Sequence, residues 1–242
     1  MTEARQDAFL GGRLSLWQPV RGYRAGVDPV LLAAAVPAQA GQSVLDLGCG
    51  VGTAALCLAA RVPDLHPVGL ERQAAYAALA RRNGLEVVEG DVAAMPGELK
   101  ARAFHHVICN PPYFDRTRGA AAEDAGREGA MGEDRPLHVW AEAAARRLMH
   151  HGYAHFIFRA ERLPELLAAF SGRLGSVEVL PLAARAGRAP SLVIVRARKG
   201  GRADFRLHFT RILHRGSSHV ADGEDYTPEF TSIFRAGAPL VF

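Results

Sequence analysis

Short apolar segments alternate with helical segments along most of this chain, and that alternation constrains its fold more than any other feature. The apolar segments predict strands at residues 43–47, 67–70, 86–89, 106–109, 153–158, 177–180 and 192–197. Helical periodicity predicts helices at residues 53–61, 73–82, 96–102, 138–149 and 163–170. Strands that alternate with helices predict an α/β fold with a parallel, doubly wound sheet and helices on both faces.

A glycine-rich loop joins the first of these strands to the helix that follows it. Its sequence is Asp46-Leu47-Gly48-Cys49-Gly50-Val51-Gly52, which differs in spacing from the Gly-x-Gly-x-x-Gly loop of dinucleotide-binding folds. Glycines at such a position let the backbone turn tightly and approach a ligand closely. Asp46 precedes the first glycine, where its carboxylate can orient the loop and help bind a cationic amino-acid group. The loop therefore predicts a cofactor site.

Two further carboxylates follow the next two predicted strands. Glu71 lies about 20 residues beyond the loop, where an acidic side chain can accept both ribose hydroxyl hydrogen bonds. Asp91 follows the third strand, where it can accept from an adenine amino group, with Val92 supplying backbone contact and apolar cover. Any one of these carboxylates alone is better explained as a helix N-cap. Three carboxylates near the carboxyl ends of consecutive predicted strands, together with a glycine-rich loop, favour cofactor binding.

The tetrapeptide Asn110-Pro111-Pro112-Tyr113 ends the fourth predicted strand. Each proline fixes its own φ and restricts the preceding residue to extended conformations, so this corner is stiff. We assign the Asn110 side-chain carbonyl and the Pro111 backbone carbonyl to accept hydrogen bonds from both N–H groups of an exocyclic amino group. Tyr113 would stack on the aromatic ring that carries this amino group. The competing interpretation is a plain turn with a buried tyrosine. The position disfavours it, because ligand crevices lie at the carboxyl ends of such strands.

The regions outside the alternation predict three units. Residues 1–42 form an N-terminal hairpin or lid, built on segments 13–17 and 20–23, and then a helix with Asp28 as N-cap and Pro29 at its first position. Residues 43–198 form the core, and residues 199–242 form a C-terminal extension packed on it, with strand-like residues 205–213. Residues 114–136 are charged and rich in Gly and Ala, which predicts a mobile substrate loop.

Composition excludes some classes of protein. No apolar run approaches the ~18 residues needed to cross a bilayer, and the polar N-terminus does not resemble a signal peptide, so we expect a cytoplasmic protein. The three cysteines, Cys49, Cys57 and Cys109, have no Cys-x-x-Cys spacing, which argues against a zinc site. The net charge of +4 is compatible with nucleic-acid binding. The net charge supports nucleic-acid binding only if the arginines cluster on one face of the protein.

These motifs resemble the class I S-adenosylmethionine (SAM)-dependent methyltransferases of the Asn-Pro-Pro-Tyr type, which modify adenine N6, cytosine N4 or glutamine amides. More narrowly, the chain is similar to the bacterial tRNA1(Val) adenine-N6 methyltransferase family, which acts on the adenosine beside the anticodon. The likeness covers residues 7–10, 22–28, 46–52, 110–113 and 225–228. One departure from the family is the compact connection at residues 82–85, which bears on the packing at the adenine side.

The resemblance implies a Rossmann-like fold with a seven-stranded, mostly parallel sheet whose last strand is antiparallel. It also implies cofactor contacts at Asp46, Gly48, Gly50, Glu71, Asp91 and Asn110, and an N-terminal segment ending in Asp28 that borders the cofactor pocket. Cys49, Gly52 and Val92 complete the predicted cofactor-binding set, and Asn110, Pro111, Pro112 and Tyr113 are the predicted catalytic set.

The leading hypothesis is methyl transfer from SAM to adenine N6 in structured RNA, most simply tRNA near the anticodon, with the target base flipped out. Arg116, Arg118, Arg127 and Arg135 either hold phosphates or belong to a solvated charged loop. The runner-up is a protein glutamine methyltransferase, since a glutamine amide presents a similar NH2 group. Two weaker hypotheses are a small-molecule N-methyltransferase and a non-catalytic module that binds SAM or RNA.

Overall fold

The computed structural model describes residues 3–112, 135–216, 218 and 225–242. The strands are β1 Ala4–Phe9, β2 Leu14–Pro19, β3 Ser43–Leu47, β4 His66–Glu71, β5 Glu86–Glu89, β6 Phe104–Cys109, β7 Leu148–Arg159, β8 Gly175–Ala183, β9 Leu192–Arg198, β10 Arg206–Leu207 and β11 Arg211–Ile212. The α-helices are α1 Asp28–Ala35, α2 Thr53–Arg61, α3 Ala74–Arg82, α4 Gly97–Lys100, α5 Leu137–Arg147, α6 Leu163–Phe170 and α7 Pro228–Ala236. Short 3₁₀ turns occupy Leu10–Gly12, Val92–Ala94 and Ala160–Arg162.

Strands β3 to β9 form one sheet in the order β5-β4-β3-β6-β7-β9-β8. Its neighbours pair in parallel except at β9, which is antiparallel to both β7 and β8. The predicted seven-stranded, mostly parallel α/β sheet is therefore confirmed. Two short strands, β10 and β11, extend it beyond β8. The chain reverses its direction of strand addition between β3 and β6, and such a switch point is where open α/β sheets bind ligands.

Helices cover both faces of the sheet, as predicted. Side chains of α1, α2, α3 and α7 share one apolar core with the inward side chains of that face. Side chains of α4, α5 and α6 share the second core. The central strands are buried on both faces, which explains why their sequences are continuous apolar runs. No helix within the described ranges is long and apolar enough to cross a membrane.

The N-terminal hairpin pairs β1 with β2 from Ala4↔Pro19 to Phe9↔Leu14. A hairpin is present and its second arm, β2, overlaps the predicted segment 13–17, but its other arm is β1 and not segment 20–23. The predicted N-cap of α1 is also wrong. The carbonyl of Val27 accepts the first helical hydrogen bond, from the N–H of Leu31 at 3.0 Å, so Val27 is the N-cap and Asp28 lies in the first turn with Pro29. A carboxylate there still favours the helix N-terminus.

Several boundaries differ from those predicted, and at two of them the tertiary pairing outweighs the local periodicity. The predicted helix 138–149 ends at Arg147, since Leu148 already has extended dihedrals and pairs with Phe104 of β6. The predicted strand 205–213 is interrupted between β10 and β11. Helix α7 was not predicted; it buries Phe230 and Ile233 in the first apolar core.

Candidate cofactor and acceptor site

A cavity of about 480 Å³ opens at the carboxyl ends of β3, β4 and β6. Most of the predicted site residues lie in its wall: Asp28, Asp46, Gly48, Cys49, Gly50, Glu71, Asp91, Val92, Asn110, Pro111 and Pro112. Tyr113 lies outside the described residues, as do Arg116, Arg118 and Arg127. Motifs separated by up to 84 positions in the sequence thus share one concave surface, as a ligand site requires.

The glycine-rich loop crosses the end of β3 along a left-handed backbone path. Gly48, Gly50 and Gly52 have φ values of +69°, +55° and +88°, a region that residues with a Cβ rarely adopt. A Cβ on Gly48 would also lie 3.1 Å from the Trp140 ring, and a Cβ on Gly52 would lie 2.9 Å from Cδ2 of Leu85. Gly48 and Gly50 face the cavity, whereas Gly52 lies outside its wall and caps α2.

Cys49 contributes a buried wall to the cavity. A Cβ on Gly69 of β4 would lie 2.4 Å from its Sγ atom, so the absence of a side chain at Gly69 makes room for this thiol. Burial raises the pKa of Cys49 well above its usual value. Because the thiolate is the reactive form of cysteine, Cys49 serves here as packing and not as a nucleophile.

Glu71 ends β4 and holds the glycine loop from below. Its Oε2 atom accepts from the N–H of Gly50 at 2.9 Å, and its Oε1 atom accepts from the N–H of Gln73 at 2.8 Å. Burial raises the pKa of Glu71, although these two N–H groups oppose the effect. The carboxylate is therefore fixed in orientation and keeps lone pairs on both oxygens to accept ribose hydroxyls.

Asp46 is buried beneath the loop, with 2% of its surface exposed. Its Oδ2 atom makes no hydrogen bond with any described residue. Burial raises the pKa of Asp46 to about 8, and the nearby charge of Glu71 adds to the effect. A buried carboxyl oxygen without a donor is unfavourable. An ammonium group, directly or through water, would supply the missing donor.

Asp91 lies two residues beyond the end of β5 and caps the turn Val92–Ala94 by accepting from the N–H of Ala93 at 2.8 Å. The Arg135 guanidinium also binds it, at 3.3 Å to Oδ1 and 2.9 Å to Oδ2. Burial acts to raise the pKa of Asp91, but Arg135 and the Ala93 N–H outweigh it, so the pKa lies below its usual value. Asp91 is therefore charged. It caps a helical turn, and it also lies in the cavity wall where its carboxylate was predicted to bind an adenine amino group.

The proline corner follows β6 directly, and its first three residues border the cavity. Pro111 is buried, while Asn110 and Pro112 are partly buried. The Asn110 side chain shares a hydrogen bond with the hydroxyl of Tyr23. An amide held on one side by a phenol presents its other polar atom in a defined direction, which is what an acceptor site for an NH2 group requires.

Tyr23 belongs to the segment between β2 and α1, which covers one side of the cavity. Its backbone N–H donates to the Tyr76 hydroxyl at 2.9 Å. Burial raises the pKa of Tyr23 to about 12, with the charge of Asp28 adding to the effect. The hydroxyl of Tyr23 is thus protonated at any physiological pH, and Asp28 lies close to it.

The hairpin holds this covering segment in place. Gln18 donates to Asp7 at 2.7 Å and accepts from the N–H of Ala25 at 2.7 Å, and Arg24 donates to Asp7 at 2.5 Å. Asn83, at the end of α3, binds both the N–H and the carbonyl of Trp17. The compact connection at residues 82–85 thus anchors the hairpin.

Sequence reasoning missed several residues of the cavity wall, or missed their role there, among them Tyr23, Tyr76, Arg135 and Trp140. Tyr23 was part of the segment that carried the family resemblance, so its signal was present. Arg135 was expected to bind phosphate or solvent, and it instead binds Asp91. Among the described residues, no group of three His, Cys, Asp or Glu side chains is arranged to hold a metal ion.

SAM fits the groups along this wall. Its ammonium matches the unsatisfied oxygen of Asp46, its ribose matches the fixed carboxylate of Glu71, and its adenine matches the apolar side chain of Val92 beside Asp91. The left-handed glycines let the backbone approach such a ligand without an intervening Cβ. The Asn110 corner borders the same cavity.

Comparisons of sequence with known proteins find methyltransferases. Residues 25–126 match the methyltransferase small domain family. The chain is 32% identical over 149 residues to a tRNA1(Val) (adenine(37)-N6)-methyltransferase of Actinobacillus succinogenes, and that alignment spans 57% of this chain and 62% of the relative. It is 29% identical to the enzyme of the same name from Porphyromonas gingivalis, over 94% of this chain and 93% of that one.

Comparisons of structure point the same way. A predicted O-methyltransferase of Agrobacterium tumefaciens superposes with a TM-score of 0.72 at 26% identity, covering 89% of this chain and 99% of that one. The 16S rRNA N2 G1207 methyltransferase of Thermus thermophilus, solved with AdoMet and guanosine, superposes with a TM-score of 0.54 at 20% identity, covering 81% and 50%; this likeness shows the fold alone. Residues 25–126 are thus similar to the methyltransferase small domain family, and the chain has the fold of the class I SAM-dependent methyltransferases.

Proposed function

We propose that this protein is a SAM-dependent N-methyltransferase that modifies the exocyclic N6 amino group of adenine in RNA, specifically tRNA near the anticodon. The observation that carries the proposal is the shared cavity. Asn110, Pro111 and Pro112 border the same 480 Å³ space as Asp46, Gly48 and Glu71, so an acceptor bound at the corner faces a cofactor bound at the loop.

The cofactor, when bound, supplies an electrophilic methyl group on a sulfonium. The residues of the chain must make the acceptor nitrogen reactive, because the lone pair of an aromatic amino group is delocalised into the ring. The Asn110 side-chain carbonyl and the Pro111 backbone carbonyl accept hydrogen bonds from the two N–H groups. These hydrogen bonds draw the nitrogen toward pyramidal geometry and direct its lone pair at the methyl group. Catalysis then rests on positioning and electrostatics, and the nitrogen loses its proton after transfer.

The choice of adenine in tRNA is supported by the relatives. Two of them, at 32% and 29% identity, are named as tRNA1(Val) (adenine(37)-N6)-methyltransferases. Residue 113, a tyrosine in this sequence, supplies the ring for stacking against the flipped base. The proposal places the protein in the cytoplasm with its RNA substrate. We assign residues 43–198 as the catalytic core and residues 1–42 as a lid, because residues 23–29 cover the cavity.

The test is a transfer assay with radiolabelled SAM, offering unmodified total tRNA and protein extract in parallel, followed by nucleoside analysis. We expect the label in N6-methyladenosine. Label only in protein would assign the corner to glutamine amides instead. No label in either pool, with SAM binding demonstrated, would overturn the RNA proposal and favour a small-molecule acceptor.

A further inference from the structure

The outer edge of the sheet carries exposed aromatic and aliphatic side chains that the cofactor site does not use. On β10 and just beside it, Phe205, Leu207 and Phe209 expose 54%, 65% and 94% of their surfaces. β10 pairs with Glu178–Val179 of β8 on one side, and no described strand pairs with its other side. A phenylalanine as exposed as Phe209 gains nothing from folding, since its ring stays in water.

Cations are interleaved with these apolar side chains. Residues 199–216 contain five cationic side chains, Lys199, Arg202, Arg206, Arg211 and Arg215, and a single carboxylate, that of Asp204. The formal charge of this short segment therefore equals the +4 of the whole chain. These cations lie close together in the sequence, in and beside the two short strands at the edge of the sheet.

The cations of this segment differ in their partners. Arg211 forms an ion pair with Glu229 at 3.6 Å, and Lys199 donates to the carbonyl of Leu148. Arg202 and Arg206 are exposed and form no salt bridge or side-chain hydrogen bond with the described part of the chain. Cations left in solvent beside exposed rings suit a polyanion that also presents planar bases.

We propose that residues 202–209, here called the basic edge, form a docking surface for the RNA substrate, with Arg202 and Arg206 contacting phosphates and Phe209 stacking on an unpaired base. This inference rests on the proposed RNA methyltransferase function. The sheet order separates β10 from β6 by four strand spacings, or about 19 Å. RNA-binding modules contact as many as about 16 base pairs of a duplex, so an RNA whose loop enters the cavity reaches the basic edge.

The experiment measures binding of an unmodified tRNA transcript to the full chain by fluorescence anisotropy, between about 50 and 200 mM salt. One variant is Phe209→Ala, and a second combines Arg202→Gln with Arg206→Gln. We expect about tenfold weaker binding for Phe209→Ala, as for the loss of one stacked base. For the double variant we expect a salt slope shallower by about 1.4–1.8, since each of the two phosphate contacts contributes about 0.7–0.9.

The control removes a cation elsewhere. Lys100→Gln removes an exposed cation at the end of α4, before β6 and at the amino-end edge of the sheet, and Lys100 makes no side-chain hydrogen bond or salt bridge with described residues. This control should bind tRNA with the slope of the wild type. All variants should keep the melting temperature and SAM affinity of the wild type, and the edge variants should raise KM for tRNA without lowering kcat.

Distinct results separate the two proposals. If the wild type methylates tRNA and the edge variants bind it with unchanged affinity and slope, the basic edge is refuted while the enzymatic function stands. If Phe209→Ala converts a self-associated wild type into monomers without affecting tRNA binding, the edge is an interface between copies and the inference is wrong. If the wild type neither binds nor methylates tRNA, both proposals fail.

Discussion

The buried carboxyl of Asp46 makes a specific prediction about the pH dependence of cofactor binding. Burial raises the pKa of Asp46 in the free protein to about 8. Below that pH the carboxyl is protonated, and binding an ammonium group beside it must release the proton. Affinity for S-adenosylhomocysteine (SAH), which carries the same amino-acid end as SAM, should therefore fall as the pH drops below about 8.

The magnitude follows from proton linkage. Each pH unit below the free-state pKa costs up to tenfold in affinity, or about 1.4 kcal/mol. Because the carboxyl is already half protonated at pH 8, the loss between pH 8 and pH 6 should be about 50-fold, provided that the bound carboxyl titrates below pH 6. Above pH 8 the amino group of the ligand itself begins to lose its charge, so affinity should be greatest near pH 8.

Isothermal titration calorimetry in buffers of different ionisation enthalpy measures both the affinity and the proton release. We expect nearly one proton released at pH 6.5 with SAH and none with 5′-methylthioadenosine, which keeps the ribose and adenine but lacks the amino-acid end. The Asp46→Asn variant should bind SAH with nearly constant affinity from pH 6 to 8. Equal pH dependence for both ligands, or no proton release with SAH, would refute this role for Asp46.

Three further predictions concern the acceptor corner and the core. Asn110→Ala should abolish methyl transfer while leaving SAH affinity within a few fold; full activity in this variant would remove the proposed mechanism. Tyr23→Phe keeps the ring but removes the hydroxyl that orients Asn110. It should lower kcat about tenfold with little change in the SAH dissociation constant or melting temperature, whereas a fall in stability alone would indicate a structural role. Burial lowers the pKa of His106 to about 4, beside His155 at 3.2 Å. The unfolded chain binds this proton near pH 6.5, so stability should be full above pH 6.5 and fall by about 3 kcal/mol toward pH 4. Burial also lowers the pKa of His155, so urea denaturation should show a smaller loss in His106→Gln than in the wild type, and an equal loss in both would refute the role of His106.

Much of the sheet could be predicted from the sequence, because strand and helix periodicities are local. Strands β3 and β5 and helices α2 and α6 occupy the predicted positions. The glycine loop was also identifiable, since left-handed φ values demand glycine. The corner at Asn110 was identifiable because two consecutive prolines restrict the backbone wherever they occur.

The sequence alone therefore determined the α/β class, the loop, the carboxylates that end the strands and the corner. Only the tertiary structure decided which groups meet. Tyr23 meets Asn110, Arg135 meets Asp91 across 44 positions, and Asn83 meets Trp17 across 66. Such partners depend on strand order and on where the hairpin folds back, which are non-local and leave no period in the sequence. The same holds for the basic edge: its arginines are visible in the chain, but their exposure on an unpaired strand follows from the order of the sheet.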